Sequence, residues 1–441
     1  MQNRNKGITL IALIVTLAVI IVLLGVSINV FVNSDIIGHS EKTGQAYTNA
    51  LETDKTIGND GVTINGKRYA NMEDFGRGEE LIESNIPGGT KVDKNKEYTI
   101  EGETRTAVIP DGFTISGKHS ERTIEGGLVI YLINDKTEED IAKIDWNDEA
   151  TLKHLKETYD QFVWIPISHT KINDMFICQA KENPSDKCNI TVKNGTATCT
   201  THNSTQMAGR LYATDTGKTY KDAITETYTL NSGLREPDVV IGSNGTSYDA
   251  DPTNLEYIAT VTGDSPSYAS IDEFKKTLQT EYKEIVKSIY NAEGFWVGRY
   301  ETSNMTQNPN TAVKVVAGTN TGINNVNWYY MYGQQKAYSA NKNLSGVKSS
   351  MILGACHDQV LEFVNTENYN VKNTGYALHN KNYNDGPWQT AGLDYADKSS
   401  YKDVSNNVYD LEGNVFEWTT ESFSSGSRVR RGRQLRRQLF S

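Results

Sequence analysis

Apolar residues follow several different rhythms along the chain, and each rhythm predicts a different element. From Ile8 to Val32 they run almost unbroken, longer than the ~20 residues that a membrane-crossing helix needs. Residues 33 to about 60 are polar, with only weak helical spacing in Tyr47, Ala50 and Leu51, and read as a stalk. Gly61-Val-Thr-Ile-Asn-Gly-Lys-Arg-Tyr69 places β-branched residues around an Asn-Gly pair, a hairpin signal. The charged, Gly-rich stretch that follows, through Lys96, reads as linker. Short apolar runs at 106–117, 127–133 and 162–167, punctuated by Pro-Asp-Gly, Gly-Gly and Pro166, predict strands. Asp148 to Tyr159 is a helix candidate. Between Ser270 and Tyr290, Phe274, Leu278, Ile285 and Ile289 recur at helical spacing behind a Ser270/Glu273 capping box, which predicts an amphipathic helix ending before Gly294. Residues 328–338 and 352–364 are further helical segments.

Composition narrows the class. The 441 residues are 37% hydrophobic and 22% charged, with 24 Tyr and 36 Gly, which fits a folded, turn-rich protein with extensions. A formal net charge of −11 argues against nucleic-acid binding, because phosphate calls for a basic surface.

The segment Asn407-Val-Tyr-Asp-Leu-Glu-Gly-Asn-Val-Phe-Glu-Trp418 alternates aromatic anchors with oxygen-bearing side chains around Gly413. Read by itself, it is either an aromatic-packed turn or a ligand site. It resembles the Gly-Asn-Val-x-Glu-Trp signature of the formylglycine-generating-enzyme/sulfatase-modifying-factor family. Gly294-Phe-Trp-Val-Gly-Arg-Tyr-Glu-Thr-Ser-Asn304 is similar to that family's Gly-x-Tyr-Glu-Val-Thr-Asn strand, and Arg428-Val-Arg-Arg-Gly432 is similar to its Arg-Val-x-Arg-Gly-Gly-Ser. The resemblance implies a C-type-lectin-like α+β domain. It also implies a structural Ca²⁺ ion held by the carboxylates of Asp410 and Glu417 and the carbonyls of Gly413 and Val415, a donor set of the kind that Ca²⁺ accepts.

The amino terminus carries a second resemblance. Lys6-Gly7-Ile8-Thr9-Leu10-Ile11 is similar to the type IV prepilin leader, which implies cleavage between Gly7 and Ile8 by a prepilin peptidase and methylation of the new terminus. A secretory signal peptide fits less well, because the run is too long and lacks a small-x-small cleavage site; a plain membrane anchor is the other reading. Ala12 stands where most pilins carry a Glu, so assembly with other pilin subunits is open. Arg4 and Lys6 before the helix predict a cytoplasmic leader and an extracellular remainder.

Cys178, Cys188 and Cys199 cluster in a polar insertion and are disulfide candidates outside the membrane; their pairing is not readable from sequence. His202, after Cys199, leaves a Cys3His zinc site as the other reading. No cysteine follows Cys356, and the histidines form no His-x-x-x-His pair. The redox residues expected of the catalytic members of the family are therefore missing, and the reading is a binder, not an enzyme. After Gly432 the family pattern calls for Gly-Ser and an aromatic, whereas this chain reads Arg433-Gln-Leu-Arg-Arg-Gln-Leu-Phe-Ser441. A codon assignment in the neighbouring frame gives Gly-Ser-Tyr, which suggests a domain truncated by an indel, whose partner strand would keep unpaired backbone groups; a short basic tail near a membrane is the other reading.

Together these readings predict a leader at 1–7, a transmembrane helix at 8–32, a stalk and linker with a small hairpin at 33–104, and a lectin-like domain at 105–441. The expected protein is a single-pass bacterial cell-surface protein displaying a non-catalytic binding domain for a protein or glycan. A structural minor pilin and a metal-dependent oxidative enzyme are the alternatives.

Overall fold

The computed structural model describes residues 62–169, 190–193, 196–199, 211–212, 229–230, 252–262, 271–303, 313–318, 327–364, 371–372, 376–377, 404–409, 411, 417–423 and 427–431. The chain divides into two compact units, Met1–Leu81 and Ile82–Ser441.

In the first unit, strands β1 (Val62–Ile64) and β2 (Lys67–Tyr69) form the antiparallel hairpin that the Asn-Gly pair predicts. Asn65 (φ 54°) and Gly66 (φ 79°) both take left-handed conformations, as a two-residue type I′ turn requires. Helix α1 (Met72–Arg77) begins at Asn71, whose side chain accepts from the Asp74 N–H, and ends at left-handed Gly78. Met72 and Phe75 pack on Val62, Ile64 and Tyr69 in a small core of their own.

The second unit opens with β3 (Lys96–Tyr98), β4 (Ala107–Ile109), β5 (Thr114–Ile115) and β6 (Val129–Tyr131). Helices α2 (Glu138–Ala142) and α3 (Glu149–Thr158) then lead to β7 (Gln161–Pro166). Asp148 caps α3 by accepting from the Thr151 N–H at 2.7 Å. Two-stranded pieces β8 (Ile190–Lys193), β9 (Thr196–Cys199), β10 (Leu211–Tyr212) and β11 (Thr229–Leu230) follow. Next come α4 (Pro252–Thr262), α5 (Ile271–Ala292), β12 (Gly294–Gly298), α6 (Trp328–Asn341) and α7 (Gly354–Val364). The last elements are the hairpins β13 (Val371–Lys372) with β14 (Tyr376–Ala377), β15 (Val404–Ser405) with β16 (Val408–Tyr409), and β17 (Glu417–Phe423) with β18 (Ser427–Arg431). Helices and antiparallel strands thus combine in one α+β unit.

The frame is a four-stranded antiparallel sheet in the order β12-β7-β6-β5. Side chains on a strand alternate between faces, so the register sorts the apolar residues into two sets. Val129, Tyr131, Val163, Ile165, Phe295 and Val297 share one face and pack with Ile141, Leu152, Leu155, Val360 and Val364 from α2, α3 and α7. Ile130, Phe162, Trp164 and Trp296 share the other, against Ile86, Val92, Tyr98, Ile109 and Phe113. Residues 82–104, expected as linker, therefore supply core side chains, because short apolar residues separated by turns bury one at a time and leave no periodic signal.

Helix α5 places Phe274, Leu278, Tyr282, Val286 and Ile289 in the interior, with Ile285 only partly buried. Its upper turns join α4 and α6, where the Trp328 and Tyr332 rings stack at 4.9 Å. Among the described residues no helix is long and apolar enough to cross a membrane; the expected span at 8–32 lies outside them.

Candidate functional site

The apolar face of the sheet changes character at one end. Tyr131 on β6 pairs with Gln161 on β7, and the N–H of Arg299, the residue after β12, donates to the Gln161 carbonyl at 3.0 Å, so three polar side chains form a row at this end of the sheet. Parity assigns them to the same face as Val163 and Val297, and all three are buried. Arg299 donates to Glu121 Oε1 (2.8 Å), Gln161 Oε1 (3.0 Å), the Tyr131 hydroxyl (3.1 Å) and Asn407 Oδ1 (3.3 Å). Glu121, carried by a single 3-10 turn, also accepts from Ser116 Oγ (2.7 Å) and the Tyr131 hydroxyl (3.0 Å). Both side chains of the Arg299–Glu121 ion pair are 1% exposed.

Burial by itself pushes the Glu121 carboxyl up, but the Arg299 charge and the bonds from Arg299 and Ser116 outweigh it and hold the carboxyl down at about 2. Burial and the facing Glu121 charge raise the Tyr131 hydroxyl well above its usual range. The pair is therefore ionised with Tyr131 neutral, which suits a hydrogen-bonded brace.

The hairpin β15–β16 closes this row. Asn406 (φ 46°) and Asn407 (φ 65°) make its turn, and the Asn407 amide donates to the carbonyls of Gly127 (2.8 Å) and Gly126 (3.2 Å). The Tyr409 N–H donates to the Arg299 carbonyl at 3.0 Å, and the Tyr409 and Tyr300 rings lie 4.9 Å apart. Gly127 sits at φ 90°, and a Cβ there would lie 1.9 Å from the Asn406 carbonyl oxygen, so only glycine lets the hairpin seat. A second buried carboxylate, Asp160, accepts from the Val315 N–H (2.6 Å), the Tyr338 hydroxyl (2.9 Å) and Lys342 (2.7 Å), tying α6 to the start of β7.

A cavity of about 860 Å³ lies beside this brace and is lined by every residue of β12. Phe162, Trp164, Trp296, Ile352, Leu353 and Trp418 contribute apolar wall, and Glu281, Glu284, Glu301, Lys336 and Lys348 contribute charge. Lys336 pairs with Glu281 and Lys348 with Glu284. Arg299 and Glu121 are not among its walls, so the ionic brace and the cavity are separate features.

The residues singled out from sequence are placed unevenly. Gly7, Ile8, Cys178, Cys188, Asp410, Gly413 and Val415 lie outside the described residues. Glu417 is described only as backbone at the start of β17, paired with Arg431, and Cys199 only as the end of β9, paired with Ile190. Cys356 is buried in α7 beside Ile289 and Leu353. Among the described residues no three His, Cys, Asp or Glu side chains gather into a metal-holding group. What does converge, among the described residues of the segments 294–304 and 407–418, is Arg299 with Asn407 and Tyr409. Sequence reasoning did not single out Glu121, Tyr131, Gln161 or Arg299. The available signal was Arg299 itself, a charge that continues the inward parity of Phe295 and Val297.

No protein-family model, curated protein or solved structure matches the chain.

Proposed function

We propose that this chain is a membrane-anchored, pilin-like surface protein whose second unit is a C-type-lectin-like domain that binds a ligand without catalysis. The observation that carries this reading is the meeting of the two resembling segments. Arg299, from the strand similar to Gly-x-Tyr-Glu-Val-Thr-Asn, is held by Asn407 and Tyr409, from the segment that continues into Gly-Asn-Val-x-Glu-Trp. Four side chains and a hairpin surround that arginine, which assigns the most buried charge to architecture and leaves recognition to the neighbouring cavity and loops. A Ca²⁺ ion on Asp410, Gly413, Val415 and Glu417 would brace the same segment just downstream. In the proposed protein the positive leader stays in the cytoplasm, a prepilin peptidase cuts at Gly7, and the domain faces outward to a protein or glycan.

The test uses bacteria expressing the full chain. Surface capture of labelled glycans and surface proteins should be retained with the full chain and disappear when residues 105–441 are deleted, while the remaining anchor still fractionates with membranes. Equal capture by both strains would leave a structural minor pilin as the better reading. For the ion, a chelator should lower the domain's melting temperature and added Ca²⁺ restore it; a melting temperature indifferent to both removes calcium from the account.

A further inference from the structure

Two backbone bonds fix the phase of β12. The Arg299 N–H meets the Gln161 carbonyl at 3.0 Å, and the Ile167 N–H meets the Glu293 carbonyl at 2.8 Å. Odd-numbered residues from 293 to 299 therefore turn backbone groups towards β7, and Gly294, Trp296 and Gly298 turn their N–H and C=O groups to the opposite side. Among the described residues β12 is the edge of the sheet, and all three of these residues line the cavity. This edge, unpaired among the described residues, borders a recess walled on both faces. Trp164 and Trp296 stand on one side, Ile352 and Leu353 on the other.

Trp164 supplies an independent signal. It is 1% exposed and lines the cavity, yet its indole N–H has no acceptor among the described residues. A buried donor in that state calls for a carbonyl or similar group. The indole reaches toward the edge because position 294 is glycine; a Cβ there would fall 2.3 Å from Trp164 Cζ2.

We infer that the cavity is a strand-acceptor groove, in which an extended polypeptide from a partner protein adds to β12. This deepens the binding role proposed above and rests on it. An incoming strand gives Gly294, Trp296 and Gly298 their missing backbone partners and can offer Trp164 a carbonyl, which a glycan ring cannot do in a row. Because both walls are apolar, the guest carries consecutive apolar residues over about five positions, as a strand buried on both faces does. The charged wall holds three carboxylates, Glu281, Glu284 and Glu301, against two lysines, Lys336 and Lys348.

The probe is a synthetic peptide, acetyl-Lys-Val-Ile-Val-Leu-Val-Lys-amide, added to the full chain in detergent, with amide hydrogen exchange as the readout. The peptide should slow exchange at Gly294, Trp296 and Gly298 by about tenfold or more, an effect large enough to stand clear of local fraying. The same peptide N-methylated at alternate residues should have no effect. Trp164→Phe, which keeps an aromatic ring and removes the N–H, should weaken the response while leaving the fold intact. Equal responses to the N-methylated and unmodified peptides, or none to either, overturn the inference. So do amides already protected in the free chain, since the groove would then be filled by this chain or a second copy. Failure here with surface capture intact would leave the binding role standing and move it to another surface.

Discussion

Strand β12 meets two very different surroundings within six residues. Just past its end, Arg299 is enclosed by Glu121, Tyr131, Gln161 and Asn407, and the β15–β16 hairpin closes over it. Along its outer side, Gly294, Trp296 and Gly298 face a cavity of about 860 Å³. The contrast teaches a division of labour. Buried charge held by four side chains fixes geometry, whereas a strand edge with no partner among the described residues offers its backbone groups to a guest. A rigid brace next to an open edge keeps that edge in place before anything binds.

The largest effect should come from breaking the brace. Arg299→Leu leaves the Glu121 carboxyl buried without its partner, and removal of one partner of such a pair costs about 3–5 kcal/mol. Urea unfolding of the full chain at neutral pH measures it, and a loss below 1 kcal/mol would show that the row is ornamental. The same variant sharpens the comparison through pH. Glu121 is held below its unfolded value of 4.5, so its contribution is present above pH 4.5 and is lost as pH falls towards 2. That acid-dependent loss should be seen in the parent chain and be absent in Arg299→Leu.

Gly127→Ala should come next. It forces a side chain into a left-handed backbone and against the Asn406 carbonyl, at about 1–3 kcal/mol for the strain alone. Faster exchange of the Tyr409 amide would show that the hairpin has lifted from the brace; unchanged exchange there would contradict the docking geometry.

Asp160→Asn, which weakens the link from α6 to β7, should cost about 1–3 kcal/mol. Burial and the Asp160 charge raise the Tyr338 hydroxyl above its ordinary value of 10.0. The stability this supplies is complete below pH 10 and is lost as pH rises above it, so the parent chain should weaken in strong alkali and Asp160→Asn should weaken less steeply. Smallest of all is Trp296→Phe, which removes the indole bond to the Val108 carbonyl at 2.8 Å, worth about 0.5–1.5 kcal/mol, together with a little of the ring contact with Trp164. That small loss at the edge, set against the large one at Arg299, is the comparison in energetic form.

Much of the frame could be read in the sequence because its signals are local. The Asn65-Gly66 turn, the Asp148 cap, the strand ending at Pro166 and the helices at 271–292, 328–341 and 354–364 each follow from residues within a few positions of one another. The stripe on α5 was legible in direction but not in detail. Tyr282 and Val286 take interior places and Ile285 a border one, because the helix is gripped by α6 on one side and by the segment around Leu353 on the other. The brace was not legible. Glu121, Tyr131, Gln161, Arg299 and Asn407 are separated by up to 287 residues along the bonds they share with neighbouring loops, and no local pattern announces a partner at that distance. The cavity was invisible for the same reason, being a property of which strand is left at the edge.

Amide exchange along β12 of the full chain, read residue by residue without ligand, tests the central claim most directly. Protection should alternate along the strand. Phe295, Val297 and Arg299, bonded to β7, should exchange at least about a hundredfold more slowly than Gly294, Trp296 and Gly298. Uniform protection along the strand would contradict it, because the edge would then already be paired.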